Sequence, residues 1–262
     1  MSADGAISVV GLNHSFENSV RALDNISFSV RPGEFVSIVG PSGCGKTTIL
    51  NILAGLVPYS EGRALGAGHR PPPGRHDVAY MLARDCLFPW LTAKANAELG
   101  NAMRDMPRDE RSRRADALLA AVGLGGFANA LPKQLSHGMR QRVALARTFC
   151  MPSSVLLMDE PFGALDAQTK LQLEELLLKL WSTERRSVVF ITHDLSEAVL
   201  LSDRVLVMSA RPGRLVADVP IPLERPRSVR SLQKDPRFHE LYAEIWSRLE
   251  SGIYEAAALE ER

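Results

Sequence analysis

Nine consecutive residues carry the clearest chemical signal in this chain: Gly40-Pro41-Ser42-Gly43-Cys44-Gly45-Lys46-Thr47-Thr48 places a glycine, four residues, a second glycine, a lysine and a hydroxyl residue in that order. Glycines let successive backbone N–H groups converge on phosphate oxygens with no Cβ in the way, and a helix starting at the lysine points its positive end at the same spot. Lys46 then reaches the outer phosphates, and the Thr47 hydroxyl suits a Mg²⁺ ion bridging them. A glycine-rich turn that merely caps a helix is the alternative. The strand-then-helix context argues against it.

Three other places carry candidate chemistry. Val155-Leu156-Leu157-Met158-Asp159-Glu160-Pro161 ends an apolar run in two adjacent carboxylates, which is costly unless a cation or substrate sits there. Asp159 suits a metal, and Glu160 suits orienting and deprotonating an attacking water. Alone, the pair also reads as a strand end whose Asp caps the next helix. His193 follows the apolar run 187–192, and ligands of open parallel sheets sit at the carboxyl ends of strands. It is therefore placed to contact a terminal phosphate and hold the water, although a lone histidine there is ordinarily a plain surface or core residue. In Leu135-Ser136-His137-Gly138-Met139-Arg140-Gln141-Arg142, Ser136 and Gly138 open another helix. That start is either a second anion site or a simple N-cap.

Positioning these residues requires alternating strands and helices. Residues 7–10, 26–30 and Phe35–Val39 are β-type runs, and Arg31-Pro32-Gly33-Glu34 is a turn between two of them. Residues 35–39 are almost wholly apolar, as suits a strand covered on both faces, and a helix-like run from Lys46 stops at Gly55. Residues 91–130 turn to Ala, Arg and Leu at helical spacing, so a helical subdomain is expected there. Short strands return at 155–158, 187–192 and 205–208, with a helix at about 168–183 between the first two. Such alternation argues for a parallel α/β sheet. Residues 220–235 read as a linker, and Phe238, Leu241, Tyr242, Ile245, Trp246 and Leu249 form the stripe of an amphipathic helix. No internal repeat is evident.

Composition narrows the classes. With 262 residues and 45% hydrophobic content, the chain can bury a large core as one large domain or two small ones. Lys and Arg total 31 against 30 Asp and Glu, a net charge of +1. There is thus no overall field for nucleic acid or an anionic membrane, and no nucleic-acid partner is expected. Three separated cysteines, Cys44, Cys86 and Cys150, fit a reducing cytosol better than a disulfide framework or zinc site. No signal peptide is expected, nor any apolar run near the roughly 18 residues of a membrane helix.

In order and spacing, the motifs resemble those of the ATP-binding-cassette (ABC) family of transporter ATPases over residues 7–218. The loop at 40–48 resembles its Walker A motif, residues 155–161 its Walker B and 135–142 its signature. Gly163-Ala164-Leu165-Asp166 resembles its D-loop, and Thr192-His193-Asp194 its switch histidine. The resemblance implies an α/β P-loop NTPase fold: a parallel-sheet core, an N-terminal antiparallel β subdomain and an inserted α-helical subdomain at about 88–150. The ATPase domain would span 1–225, with a C-terminal helical extension at 226–262. It further implies ATP and Mg²⁺, with Gly40 to Thr48 binding ATP, Thr47 and Asp159 holding the metal, and Lys46, Glu160 and His193 catalytic. Phe16 stands where the family has an aromatic that stacks on adenine; a core Phe is the alternative. In a head-to-tail homodimer, Ser136, His137, Gly138 and Met139 would act on the nucleotide held by the other subunit's Lys46, with Asp166 in the D-loop.

Residues 87–92, 139–142 and 209–214 together resemble the nitrate, sulfonate and taurine importer branch. That implies an integral-membrane permease touched by Phe88 and Trp90, an extracytoplasmic solute-binding protein reached only indirectly, and a peripheral place on the cytoplasmic face of the bacterial inner membrane. Burial in the subdomain core is the alternative for Leu87 and Leu91. The chain departs from the family pattern twice. Ala83 stands where the family has a glutamine that contacts Mg²⁺ and water, and His137 replaces a signature glycine. If position 137 needs a positive φ, histidine costs on the order of 1 kcal/mol; otherwise its side chain adds a donor. Both departures leave open a nucleotide-switched binding module with weak hydrolysis or impaired coupling.

Overall fold

The computed structural model describes residues 6–16, 21–66, 77–163 and 165–260. Ala164 of the D-loop stretch and the extreme ends of the expected domain ranges lie outside them. In chain order the elements are strands β1 (Ile7–Ser15), β2 (Arg21–Val30) and β3 (Phe35–Val39), helix α1 (Lys46–Leu53), and strands β4 (Glu61–Gly66) and β5 (Val78–Met81). Helices α2 (Ala93–Ala102), α3 (Arg108–Ala121) and α4 (His137–Cys150) follow, then β6 (Val155–Asp159), α5 (Ala167–Glu184), β7 (Ser187–Ile191) and α6 (Leu195–Leu201). Strands β8 (Arg204–Met208) and β9 (Leu215–Pro220) and helices α7 (Val229–Leu232) and α8 (Pro236–Glu260) complete the chain.

Six strands form one sheet in the order β5-β6-β7-β3-β8-β9, all parallel except β9, which runs antiparallel to β8. Every residue of β3, β6 and β7 is buried. Their near-continuous apolar runs serve two cores at once, because successive side chains point to opposite faces. Phe35, Val188, Phe190, Leu156 and Met158 join the core beneath α4, α5, α6 and α8. Val36, Ile38, Val189, Ile191, Val155 and Leu157 join the other, with α1 and the antiparallel sheet β2-β1-β4.

Helices α2 and α3 pack on α4 around a smaller core of Ala93, Leu119, Val122, Leu124, Leu135, Val143 and Ala146. Helix α4 belongs to both layers: Val143 and Ala146 face that core, while Ala144, Leu145 and Phe149 face the main one. Four residues after α4 the chain enters β6. The start of α4 and the end of β6 are therefore joined through one rigid helix.

The stretch expected to be a linker is instead packed. Ile221, Leu223 and Val229 are buried in the main core, and the Arg227 guanidinium donates to the carbonyls of Val199, Leu200, Ser202, Ile221 and Leu223. Arg225 donates to the Asp203 carboxylate at 2.7 Å and the Leu201 carbonyl at 2.7 Å, with its guanidinium 4.3 Å above the Trp181 ring. The last carbonyls of a helix have no partner within it. Two arginines satisfy those of α6, so the proline-rich segment is a helix cap that polar composition disguised. Of the expected C-terminal stripe, Phe238 and Ile245 are buried and Leu241, Tyr242 and Leu249 pack partly on the core, whereas Trp246 stays 47% exposed. Among the described residues no helix is long and apolar enough to cross a membrane.

Candidate active site

The loops that leave β3, β6, β7 and β8 open on one edge of the parallel sheet, with β3 between β7 and β8. After β3 the backbone takes positive φ at Gly43 (78°) and Gly45 (100°), and a Cβ on Gly45 would lie 2.6 Å from Leu23. Gly45 is also the N-cap of α1 and supplies no side-chain acceptor. The first N–H groups of α1 are thereby left for a ligand, and an anion at a helix start satisfies them.

Lys46 is buried and donates to the carbonyls of Gly40 at 2.8 Å and Pro41 at 2.9 Å. Cys44 turns into the core, where burial pushes its thiol pKa up. Ser42, Gly43, Gly45, Lys46, Thr47 and Thr48 line a cavity of about 340 Å³ together with Phe16, Ala22, Glu160 and Arg211. Phe16 is 49% exposed and rests edge-on against His14, ring centroids 4.8 Å apart. Its core-residue alternative fails on that exposure. Ala22 was not singled out in the sequence, and Arg211 entered only within the 209–214 resemblance with no nucleotide role; the signal available for it was its place just beyond a strand parallel to β3.

At the end of β6, Asp159 accepts a hydrogen bond from the Thr47 hydroxyl at 3.2 Å. Burial pushes the Asp159 carboxyl up, partly offset by that hydroxyl, and the neighbouring Glu160 charge raises it further. Glu160 holds a φ of 44° and donates its N–H to Ile191 at 2.9 Å. Such a conformation costs a non-glycine residue on the order of 1–3 kcal/mol. It accompanies a carboxylate in the cavity whose Oε2 lies 3.1 Å from His193 Nδ1.

His193 itself rides on a pinned loop. Lys170 of α5 reaches both the Asp194 carboxylate and Glu197 at 2.6 Å. The Thr192 hydroxyl donates to Glu197 at 2.5 Å and accepts the Asp194 N–H at 2.9 Å. Asp194 caps α6 by accepting the N–H groups of Ser196 and Glu197. Burial raises its carboxyl, but Lys170 and those N–H groups outweigh burial and hold it below the usual range. Beside this cluster, burial and then the Glu197 charge push Glu174 up to about 8.

The remaining expected residues lie elsewhere. Ser136 is the N-cap of α4 and accepts the Met139 N–H at 3.3 Å; neither it nor His137, Gly138 or Met139 lines the cavity of its own chain. His137 is the first residue of α4 and is absent from the positive-φ positions, so the feared strain does not arise. Gly138 is constrained by packing, since a Cβ there would sit 2.8 Å from Thr169 Cγ2. Asp166 caps α5 by accepting the Thr169 N–H at 3.0 Å, and that bond lowers its pKa.

Phe88 and Trp90 are 39% and 71% exposed with ring centroids 5.3 Å apart. Their turn is locked by Asn96, whose amide donates to the carbonyls of Phe88, Leu91 and Thr92 and whose oxygen accepts the Phe88 N–H. Leu87 packs partly against two cores, and Leu91 is half-buried. Ala83 is exposed. The residues just after it are tied to α4: Asp85 pairs with Arg140 at 2.8 Å, and Arg147 donates to the carbonyls of Asp85 and Cys86 at 2.7 and 2.8 Å. Sequence reading missed this tie because its partners lie more than fifty residues apart.

The arrangement sets oxygen donors, a lysine, helix-start amides and a carboxylate–histidine pair around one anion-sized cavity, which suits hydrolysis of a phosphoanhydride. Comparison with known proteins agrees. The ABC transporter family model matches residues 23–163. The chain is 47% identical over 226 residues to a putative ATP-binding protein of Brucella abortus, 86% of each chain being covered. It is 43% identical to the taurine import ATP-binding protein TauB of Rhizobium johnstonii, covering 90% of this chain and 92% of that one. Among solved structures it resembles the dimeric ATP-binding cassette MJ0796 in a post-hydrolysis state bound to ADP and Pi, with 31% identity, a TM-score of 0.73, and 83% of this chain and 100% of that one covered. It also resembles cbiO1 from Clostridium perfringens, part of the transporter complex cbiONQ, with 26% identity, a TM-score of 0.74 and coverage of 83% and 89%. The chain therefore belongs to the ABC transporter family, as one of its ATP-binding, ATP-hydrolysing subunits.

Proposed function

We propose that this subunit powers uptake of a small solute of the nitrate, sulfonate or taurine class through a partner permease at the cytoplasmic face of a bacterial inner membrane. The relatives named for taurine import support the solute class. The observation that carries the mechanism is Glu160, which lines the cavity with Lys46 and Thr47 and whose Oε2 lies 3.1 Å from His193 Nδ1.

In this reading the loop from Gly40 to Thr48 cradles the phosphates of ATP, and Phe16 stacks on adenine. Thr47 and Asp159 supply adjacent oxygen donors, a hard donor set that fits Mg²⁺. Bound there, the ion would neutralise charge on the phosphates. Glu160 accepts a proton from the water that attacks the γ-phosphorus, the bond to the β-phosphate oxygen breaks, and ADP and phosphate leave. His193, fixed through Thr192, Asp194 and Lys170, holds the carboxylate and the terminal phosphate in register.

Ser136, His137, Gly138 and Met139 act on the nucleotide of a second copy, with Asp166 near the join. Two features support this: these residues are absent from their own chain's cavity, and the MJ0796 neighbour is dimeric. Phe88 and Trp90 form the permease contact, and the extracytoplasmic solute-binding protein engages only the permease. The ATPase domain is assigned to 1–225, its helical insert to about 88–150, and the extension to 226–262.

A nucleotide-switched module with slow hydrolysis is the second reading, favoured by Ala83, whose methyl group coordinates neither metal nor water. Replacing Glu160 by Gln separates the two. Under the hydrolytic reading, phosphate release falls at least about a hundredfold while an ATP-bound dimer accumulates on gel filtration. Equal phosphate release by variant and parent would remove Glu160 from the role of base.

A further inference from the structure

The cavity has a flank that the reaction above leaves unused. Strand β8 runs parallel to β3 on the side opposite β7, so its carboxyl end opens on the same edge as the phosphate loop. The loop that follows, residues 209–214, is fastened to that loop's surroundings. The Gly213 N–H donates to the Ala22 carbonyl at 3.0 Å, and the Gly213 carbonyl accepts the Asp24 N–H at 3.0 Å. Arg214 Nε donates to Asp24 at 2.6 Å. The Ser209 hydroxyl accepts the Arg214 N–H at 3.0 Å and donates to the Ala210 carbonyl at 2.9 Å. Gly213 packs so closely that a Cβ there would overlap the Cys44 carbonyl inside the phosphate loop.

Arg211 projects from between these anchors. It is exposed, lines the cavity with Phe16, Lys46 and Thr48, and has no hydrogen bond or ion pair to any described residue. A guanidinium with no carboxylate partner among the described residues, on a backbone fixed at both ends, is a preformed donor fork for phosphate oxygens. The other cation among the described residues lining the cavity, Lys46, is turned back onto two loop carbonyls. A polyphosphate carries more charge than one lysine balances.

We infer that Arg211 is a further nucleotide-contacting residue, gripping the phosphate chain of ATP or ADP from the flank opposite His193. The inference rests on the cavity being the nucleotide site. As Arg211 lies outside the Glu160–His193 pair, its loss should appear in binding and KM far more than in kcat.

The test is calorimetric titration of the full-length chain with ATP and with ADP, for the parent, Arg211→Ala, Arg211→Lys and Lys46→Ala, with KM, kcat and melting temperature measured alongside. Arg211→Ala should raise both Kd values about five- to tenfold at low salt and less at high salt, with an unchanged melting temperature. Arg211→Lys, which keeps the charge and loses the fork, should fall between. Parental affinity in Arg211→Ala, with affinity lost in Lys46→Ala, overturns the inference and leaves the site reading standing. Parental affinity in Lys46→Ala overturns both. A weakened Arg211→Ala that also melts several degrees lower, with Arg211→Lys no better, would make the residue structural and overturn the contact.

Discussion

The carboxyl edge of the parallel sheet and the start of α4 serve the same proposed reaction, yet the fold holds them in opposite ways. Lys46 and Thr47 open the helix after β3, Asp159 and Glu160 stand at the end of β6, neither strand has an exposed residue, and the four already touch one another or the cavity. Ser136, His137 and Gly138 begin a helix whose start does not line that cavity, and Phe88 and Trp90 expose an aromatic pair. The first region can bind nucleotide within a single copy. The second has donors and apolar surface but does not line that cavity among the described residues, and under the proposed function it works only against a second copy and a permease.

Substitutions should divide along the same line. Lys46→Ala should raise the Kd for ATP about ten- to a hundredfold, the value of a charge-assisted contact, with turnover lost as a consequence; titration calorimetry reads this directly. Gly138→Ala should leave that Kd near the parental value but cut turnover more than tenfold. It should also cost about 1–3 kcal/mol of stability, because its Cβ meets Thr169; denaturant melts give the stability and phosphate release the turnover. Loss of nucleotide affinity in Gly138→Ala would erase the distinction between the regions.

A smaller effect is expected at Trp90, which is 71% exposed. Its replacement by Ala should change stability by less than about 0.5 kcal/mol while weakening co-purification with the permease. The smallest concerns Glu174, whose carboxyl is raised from near 4.5 to about 8, first by burial and then by the Glu197 charge. The native state holds a proton there that the unfolded chain has released. Between about pH 4.5 and 8 this group therefore makes stability fall as pH rises, and above pH 8 the loss is complete. Glu174→Gln should flatten that slope in melts taken from pH 5 to 8.5. An unchanged slope would mean the proton resides elsewhere in the cluster with Lys170, Asp194 and Glu197.

Most of the sheet edge was legible in the sequence, because a parallel strand buried on both faces is a short apolar run and its end is marked where polar residues begin. Residues 35–39, 155–158 and 187–192 announce themselves in this way; Asp159, Glu160 and His193 follow at once, and Lys46 after the six-residue loop 40–45. Elements defined by distant partners were not legible. The 220–235 stretch looks like a linker until Arg225 and Arg227 are seen to satisfy the carbonyls ending α6. The Asp85–Arg140 tie spans two layers, and Arg211 gains meaning only from the neighbour relation of β8 and β3. At position 137 the concern about backbone strain was misplaced, because the residue sits in helix and the constraint falls on Gly138.

The central claim is that the two regions complete one site only across two copies, and mixing tests it most directly. On this account a Lys46→Ala chain and a Ser136→Ala, Gly138→Ala chain should each be inactive alone, since every composite site carries one defect. In mixed dimers one site pairs the intact phosphate loop of the second chain with the intact helix start of the first. Phosphate release should therefore reappear on mixing, and reach its maximum near equal proportions. Mixtures no more active than the separate variants at every ratio would contradict the account.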